Sequence, residues 1–365
     1  MNPQATRVAA WAGFVLMVIV FSELGARLDD WFVDDVPMLS SATYDDLFFV
    51  DEQGRRRGRP NALWKHVRLN NLGMRGADVS STPRGCPRWM FLGASETFGE
   101  PTVKGSEYPA RVTQWRTDDC IEVLNTALPG IAPSDLVPRY ESTLARYRPD
   151  VVFVYPPAHL YLADIPRRST RAPHNGAAEK TLATTQPQQS VRPTELLSKS
   201  RFLERVSQAA EVPPAIQRWR LHRWIDDASQ GKPHDWRYRS VPLTRLTLLE
   251  GDMTRLVAAI RRSGAEPVLM THAVRATNPP RRSDHDDLLA MRLYVPRASE
   301  AIIAKFEYLA GERVRQVAVR SNVRIVDVAK ALNGRRDRFI DLVHFSPAGH
   351  AEVARLIHHA LLDPS

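Results

Sequence analysis

The chain has 365 residues, 43% of them apolar, enough to bury one large core or one core plus a smaller appendage. Its formal charge is +9 and its pI about 9.8, yet no nucleic-acid motif accompanies that charge, which excludes nucleic acid as the expected partner. Two cysteines without a second Cys/His pair at zinc spacing, and no H-E-x-x-H pattern, give an expectation of no metal and no cofactor.

The first element is an apolar run from Val8 to Phe21, extendable from Ala5 through Leu24 to the roughly twenty residues a spanning helix needs. No A-x-A cleavage site follows it, which favours an uncleaved anchor over a signal peptide and assigns residues 1–27 to an N-terminal membrane segment. Arg7 precedes the run, while Glu23, Asp29, Asp30, Asp34 and Asp35 follow with only Arg27, so the N-terminus is expected in the cytoplasm. The remainder would then lie outside it, single-pass from an inner membrane, in a periplasm or outside the cell. Residues 28–85 read as an irregular lead-in, and 86–365 as the main domain.

From there strands and helices alternate. Trp89–Leu92, Ile121–Leu124, Val151–Tyr155, Pro267–Thr271 and Val323–Val328 read as strands. Glu107–Trp115, a segment from Ser134 to about Tyr147, Leu243–Arg262 and Pro347–Leu362 read as helices. That alternation predicts an α/β fold, a mostly parallel sheet covered on both faces. Between about 165 and 241 it stops. A stretch rich in Pro, Thr, Gln, Ala and Arg reads as a loop, followed by two helix candidates, Thr194–Ala209 and Pro214–Ile225, in a partly helical insertion. Arg55–Arg57 with Arg59, and Arg167, Arg168 and Arg171, form basic runs of the kind usually found on solvated surface. Cys86 and Cys120 precede two strands; if these are parallel neighbours, both thiols emerge at one sheet edge and a disulfide is feasible.

Chemistry concentrates in two stretches. Asp341-Leu342-Val343-His344 places a carboxylate three residues before a histidine, where one tight turn lets it accept from Nδ1–H and leaves Nε2 free as a base. Ser95, in Gly93-Ala94-Ser95-Glu96-Thr97-Phe98-Gly99, stands just past an apolar strand, where a sheet presents a nucleophile. Parallel α/β sheets bind ligands at the carboxyl ends of their strands. Ser95, Gly130, the Pro156–His159 loop and His272 all follow strand ends, so His272 and Arg275 are candidate substrate-binding residues. His350, His358 and His359 read as residues of the final helix rather than metal ligands.

These stretches resemble the blocks of the SGNH (GDSL-like) hydrolases, esterases and acyltransferases on a flavodoxin-like three-layer sandwich. The resemblance runs from about Arg68 to Leu362. Gly93–Thr97 is similar to the first block, with Ala94 where aspartate is usual. Asn125–Gly130 is similar to the second, and Asp341–Gly349 to the last. Arg68–Gly76 resembles a segment found ahead of the first block in bacterial members. The resemblance implies Ser95, Asp341 and His344 as the catalytic residues, with Ser95 and Gly130 N–H groups in the oxyanion hole. It departs at the third block, where G-x-N-D is replaced by Pro156-Pro157-Ala158-His159-Leu160; His159 is the side-chain donor available in that loop.

The resemblance and the expected compartment together imply a serine-dependent esterase, deacetylase or acyltransferase acting on an extracytoplasmic ester. Its substrate would be an ester-bearing small molecule or the O-acyl groups of a polysaccharide. The other reading is a catalytically weak module of the same fold, binding glycan or assembling an export complex.

Overall fold

A computed structural model describes residues 3–362 apart from 35, 41, 84, 101, 103, 104, 115–119, 164–199 and 210–212. The basic run at Arg167, Arg168 and Arg171 and the first part of the insertion therefore lie outside the described residues. Five short strands form the central sheet: β5 (Arg88–Leu92), β6 (Glu122–Asn125), β7 (Val151–Val154), β8 (Glu266–Met270) and β9 (Arg324–Val326). Every pairing is parallel and the order is β6-β5-β7-β8-β9. Counted within the sheet this is 2-1-3-4-5, the flavodoxin-like doubly wound order, whose ligand site lies at the carboxyl ends where the winding reverses.

Side chains alternate between the two faces, as a pleated strand dictates. Met90, Leu92, Val152, Val154 and Leu269 enter one core, with helices Leu243–Arg262 and Glu300–Ser321. Trp89, Phe91, Phe153, Val268, Met270 and Val326 enter the other, closed by the final helix Pro347–Leu362 and a short turn at Tyr108–Arg111. Both faces are covered, which accounts for strands that read as continuous apolar runs.

Several elements depart from the sequence expectation. The lead-in carries two small antiparallel hairpins, β1 (Phe48–Val50) with β2 (Arg56–Gly58) and β3 (Leu63–Trp64) with β4 (Val67–Arg68). Leu47, Phe48, Val67, Leu69 and Met74 from this segment are buried in the main core, so it is part of the folded body rather than an irregular approach to it. The expected Ser134–Tyr147 helix is broken into four short turns, one of them of π type. Pro138 sits inside it and has no N–H to give the ladder. The helix Glu300–Ser321, capped by the Ser299 side chain on the Ile302 N–H, is not among the expected helices, although its apolar residues Ile303, Phe306, Ala310, Val314 and Val317 recur at helical spacing.

The first helix runs from Pro3 to Asp34, longer than the expected 1–27 segment. Arg7–Val33 is long and apolar enough to cross a membrane, and none of its apolar window is buried by protein. Its last turns are instead engaged by the insertion. Glu23 accepts from the Ser200 hydroxyl at 2.8 Å and the Phe202 N–H at 3.0 Å, and Arg205 pairs with Asp29 at 2.6 Å and with Asp30. The part of the insertion from Arg201 to Ala209 is thus a helix docked on the end of the apolar helix, rather than a cover over the sheet.

Cys86 and Cys120 form a disulfide, their Cα atoms 5.4 Å apart. They precede neighbouring strands β5 and β6, and the bridge closes a 34-residue separation at the end of the sheet opposite Ser95. A loop of that size restricts the unfolded chain by about 3–4 kcal/mol. The Cys86→Ser, Cys120→Ser double variant is expected to unfold about five degrees lower by circular dichroism.

Candidate active site

Strand β5 delivers the nucleophile segment. Gly93 leaves the sheet where a Cβ would lie 2.0 Å from Thr97 Oγ1 and 3.1 Å from the Tyr155 carbonyl, so no larger residue fits. Ala94 then leads into a single helical turn, Ser95–Phe98, ended by Gly99 at φ +89°. The second block is stitched to the first. Leu128 N–H donates to the Gly93 carbonyl at 3.2 Å, Asn125 Nδ2 to the Thr97 carbonyl at 3.1 Å, and the Thr126 hydroxyl to the Phe91 carbonyl at 2.9 Å. Gly130 ends that block at φ +68°.

Far along the chain, the Asp341–His344 turn meets this edge. Asp341 Oδ1 accepts the backbone N–H groups of Val343 (2.9 Å) and His344 (2.8 Å), fixing the turn, while Oδ2 faces His344 Nδ1 at 2.7 Å. His344 Nε2 lies 2.9 Å from Ser95 Oγ. With the proton on Nδ1, held by Asp341, Nε2 carries the lone pair and can accept a proton from the serine hydroxyl.

Electrostatics follow the geometry. Burial alone lowers the His344 pKa, but the Asp341 hydrogen bond, with the charges of Glu96, Asp341 and Glu100, outweighs it and raises the net value. Burial likewise raises that of Asp341, and the hydrogen bond and charge of His344 with two backbone N–H groups bring it below the ordinary carboxylate range. A base must be neutral to act. The acid limb of kcat/KM is therefore expected above the free imidazole value of about 6.5, with activity rising as pH rises through it. In Asp341→Asn the limb should move to lower pH; a limb that stays in place in a pH–rate profile would contradict this coupling.

The remaining candidate residues are placed differently. Arg275 is not turned to a substrate. Its N–H donates to the Leu342 carbonyl at 2.8 Å, and its guanidinium spans Asp287 and the Ile340 carbonyl, each at 3.3 Å, so it props the Asp341–His344 loop. His272 is 1% exposed, with Nδ1 2.8 Å from Glu307 and Nε2 3.3 Å from Glu96. Sealed between two carboxylates, it offers no face to substrate. His159 stands on the third-block loop with Nδ1 facing the same cluster, 3.7 Å from Glu307 and 4.0 Å from Glu96. His350 is fully buried and accepts the Tyr108 N–H on Nδ1 at 3.2 Å. Burial, with the nearby arginines and His344, depresses its pKa to about 3, a neutral structural imidazole.

Three residues near the site escaped sequence reasoning. Arg56 donates to the Pro129 carbonyl at 2.6 Å, beside Gly130, and lies over the Phe48 ring at 4.2 Å. Nothing in a surface-type arginine run separates it from its neighbours, because the β1–β2 hairpin alone brings it there. Glu96 was hidden as the variable position of its block. Glu307 rides on the unanticipated helix Glu300–Ser321, for which the Ser299-Glu300 cap and the apolar spacing Ile303, Phe306, Ala310, Val314, Val317 were the available signals.

No family model matches the chain, and no curated protein matches it. Among solved structures, it is similar to a lipolytic protein of the G-D-S-L family from Desulfitobacterium hafniense DCB-2, at 12% identity and TM-score 0.40, covering 75% of this chain and 98% of that one. It is also similar to an acetylxylan esterase from Geobacillus stearothermophilus, at 16% identity and TM-score 0.42, covering 76% and 94%. A third is a lipase/acylhydrolase from Enterococcus faecalis, at 12% identity and TM-score 0.41, covering 75% and 95%. At such identities and scores the likeness carries no chemistry to this chain, whose site stands on its own side chains.

Proposed function

We propose that the chain is a serine-dependent ester hydrolase of SGNH type, held to a membrane by its first helix, with the catalytic body outside the cytoplasm. The observation that carries this reading is the continuous relay Ser95 Oγ–His344 Nε2, His344 Nδ1–Asp341 Oδ2, at 2.9 and 2.7 Å. His344 takes the serine proton as Oγ attacks an ester carbonyl. It returns that proton to the departing alkoxide, leaving an acyl-serine. Water then attacks by the same route in reverse and frees the acid; a sugar hydroxyl in place of water would make the reaction an acyl transfer. N–H groups of Ser95 and Gly130 are the proposed oxyanion donors.

An extracytoplasmic location is supported by the exposed apolar helix, the acidic residues that follow it and the Cys86–Cys120 disulfide. An O-acylated polysaccharide is the substrate we favour, because such esters are found on that side of the membrane. The test is acetate release from an O-acetylated polysaccharide and from p-nitrophenyl acetate by the full chain in detergent, with and without a sugar acceptor. Acetate release supports the hydrolase, and acetylated acceptor supports the transferase.

One observation favours the second reading, a weak catalyst that binds glycan. The third-block asparagine is replaced, and one of the two His159 ring nitrogens, Nδ1, faces Glu96 and Glu307. Under that reading turnover is at least about a hundredfold below that of ordinary esterases.

A further inference from the structure

Beside the relay, four side chains from four separate segments converge in a sealed space. Glu96 comes from the turn after β5, His159 from the loop after β7, His272 from the end of β8, and Glu307 from the helix Glu300–Ser321. Their exposures are 1, 6, 1 and 2%. His272 Nδ1 is 2.8 Å from Glu307 Oε2, which leaves Nε2 facing Glu96 Oε1 at 3.3 Å. The cluster is not closed by these contacts. Glu96 Oε2, Glu307 Oε1 and His159 Nδ1 are buried polar atoms without a hydrogen-bond partner. His159 Nδ1 is aimed at the carboxylates from distances too long for a hydrogen bond, 3.7 and 4.0 Å.

We propose that Glu96, His159 and His272 bind one divalent transition-metal ion of the zinc type, with Glu307 orienting His272 through Nδ1. One ligand atom from each of the three residues lies within 4.8 Å of the others. Tetrahedral zinc with bonds of about 2.0–2.1 Å sets its ligand atoms roughly 3.3 Å apart. The Glu96–His272 edge already has that length, and the edges to His159 close by a small shift of one ring. Two imidazoles and one carboxylate with a fourth position open is a donor set that zinc takes. A carboxylate on the far nitrogen of a ligating histidine is the usual outer support, fixing the tautomer that leaves Nε2 free for the metal.

Charge favours the ion over a proton. If His272 is an imidazolium bridging the two glutamates, the sealed cluster keeps one uncompensated negative charge and an idle His159, an expensive arrangement at this depth. A dication balances both carboxylates and gives His159 Nδ1 and Glu96 the partner they lack. Such an ion ties the nucleophile turn, the third-block loop and the end of β8 together.

The test uses the full chain in detergent, purified without chelators, and does not depend on ester turnover. Metal analysis is expected to give about one zinc per chain after desalting. Apo protein reloaded with Co2+ should show the visible d–d absorption of a tetrahedral N/O site and unfold at a higher temperature than the apo form. Zinc-edge X-ray absorption on the wild type should count two imidazoles and one carboxylate, which reads the ligands even where a variant fails to fold. Glu307→Gln should weaken Co2+ by about 10- to 100-fold, and His159→Ala by more. Apo wild type that takes up neither zinc nor Co2+ and does not change its unfolding temperature overturns the proposal in favour of the proton-bridged cluster. Unchanged Co2+ affinity in folded His159→Ala, or an absorption spectrum without two imidazoles, overturns it equally.

Discussion

Ser95→Ala is expected to lower kcat on p-nitrophenyl acetate by about ten-thousandfold or more, while the protein folds and melts as the wild type does. The nucleophile is then gone, and what persists is binding and the electrostatics of the oxyanion donors, which by themselves leave only a small residual rate. The substitution removes one hydroxyl from a half-buried position where it is hydrogen-bonded to His344 Nε2, so stability has little to lose. Asp341→Asn should cost on the order of a thousandfold near neutral pH, somewhat less than a fully buried orienter would. Asp341 is 51% exposed at its side chain, and water takes over part of its work on His344. Steady-state kinetics on both variants, with melting curves, separate a chemical loss from a folding loss. A Ser95→Ala protein retaining more than a tenth of the wild-type rate would refute the assignment.

The second large effect is on stability and lies at the opposite end of the sheet. Arg88 opens β5 with a fully buried guanidinium, paired with Glu122 on β6. It also donates to the carbonyls of Ser80 (2.7 Å), Thr82 (2.6 Å) and Tyr147 (2.8 Å), fastening the lead-in and the Tyr147 turn to the sheet. Arg88→Ala leaves Glu122 largely buried without its partner and three carbonyls without donors, a loss of about 3–5 kcal/mol. Arg88→Lys recovers only part of this, since one ammonium cannot reproduce a planar fork that serves several acceptors at once. Urea unfolding should read both losses, with turnover per folded molecule unchanged. A loss below about 1 kcal/mol in Arg88→Ala would mean that water replaces these bonds and that the pair is not structural.

The Ser95–His344–Asp341 hydrogen-bond relay was legible because both its parts are local. A D-x-x-H turn is closed by its own backbone, and a serine after an apolar strand lies at the active edge of any parallel sheet. The five strands were legible for the same reason, as each is a short apolar run with turn residues beside it. What failed was what depends on convergence. Arg275 and His272 follow strand β8 as binding residues would, yet the first braces a loop and the second is sealed between carboxylates. Nothing in the local sequence of either tells a wall facing substrate from one facing the core. Glu96, His159, His272 and Glu307 span more than 200 positions, so no spacing motif could announce them. The Glu300–Ser321 helix is marked by its Ser299 cap and its apolar spacing, but that local pattern does not tell that Glu307 meets His272.

The central claim is that Ser95, activated by His344, is a nucleophile. It is tested most directly by treating the full chain in detergent with a fluorophosphonate probe and locating the adduct by peptide mass spectrometry. One adduct is expected, on the peptide carrying Ser95, formed faster as pH rises through the His344 titration and absent in Ser95→Ala and in heat-unfolded protein. Labelling at another serine, or labelling of Ser95 whose rate does not change when His344 is replaced by Ala, would contradict it.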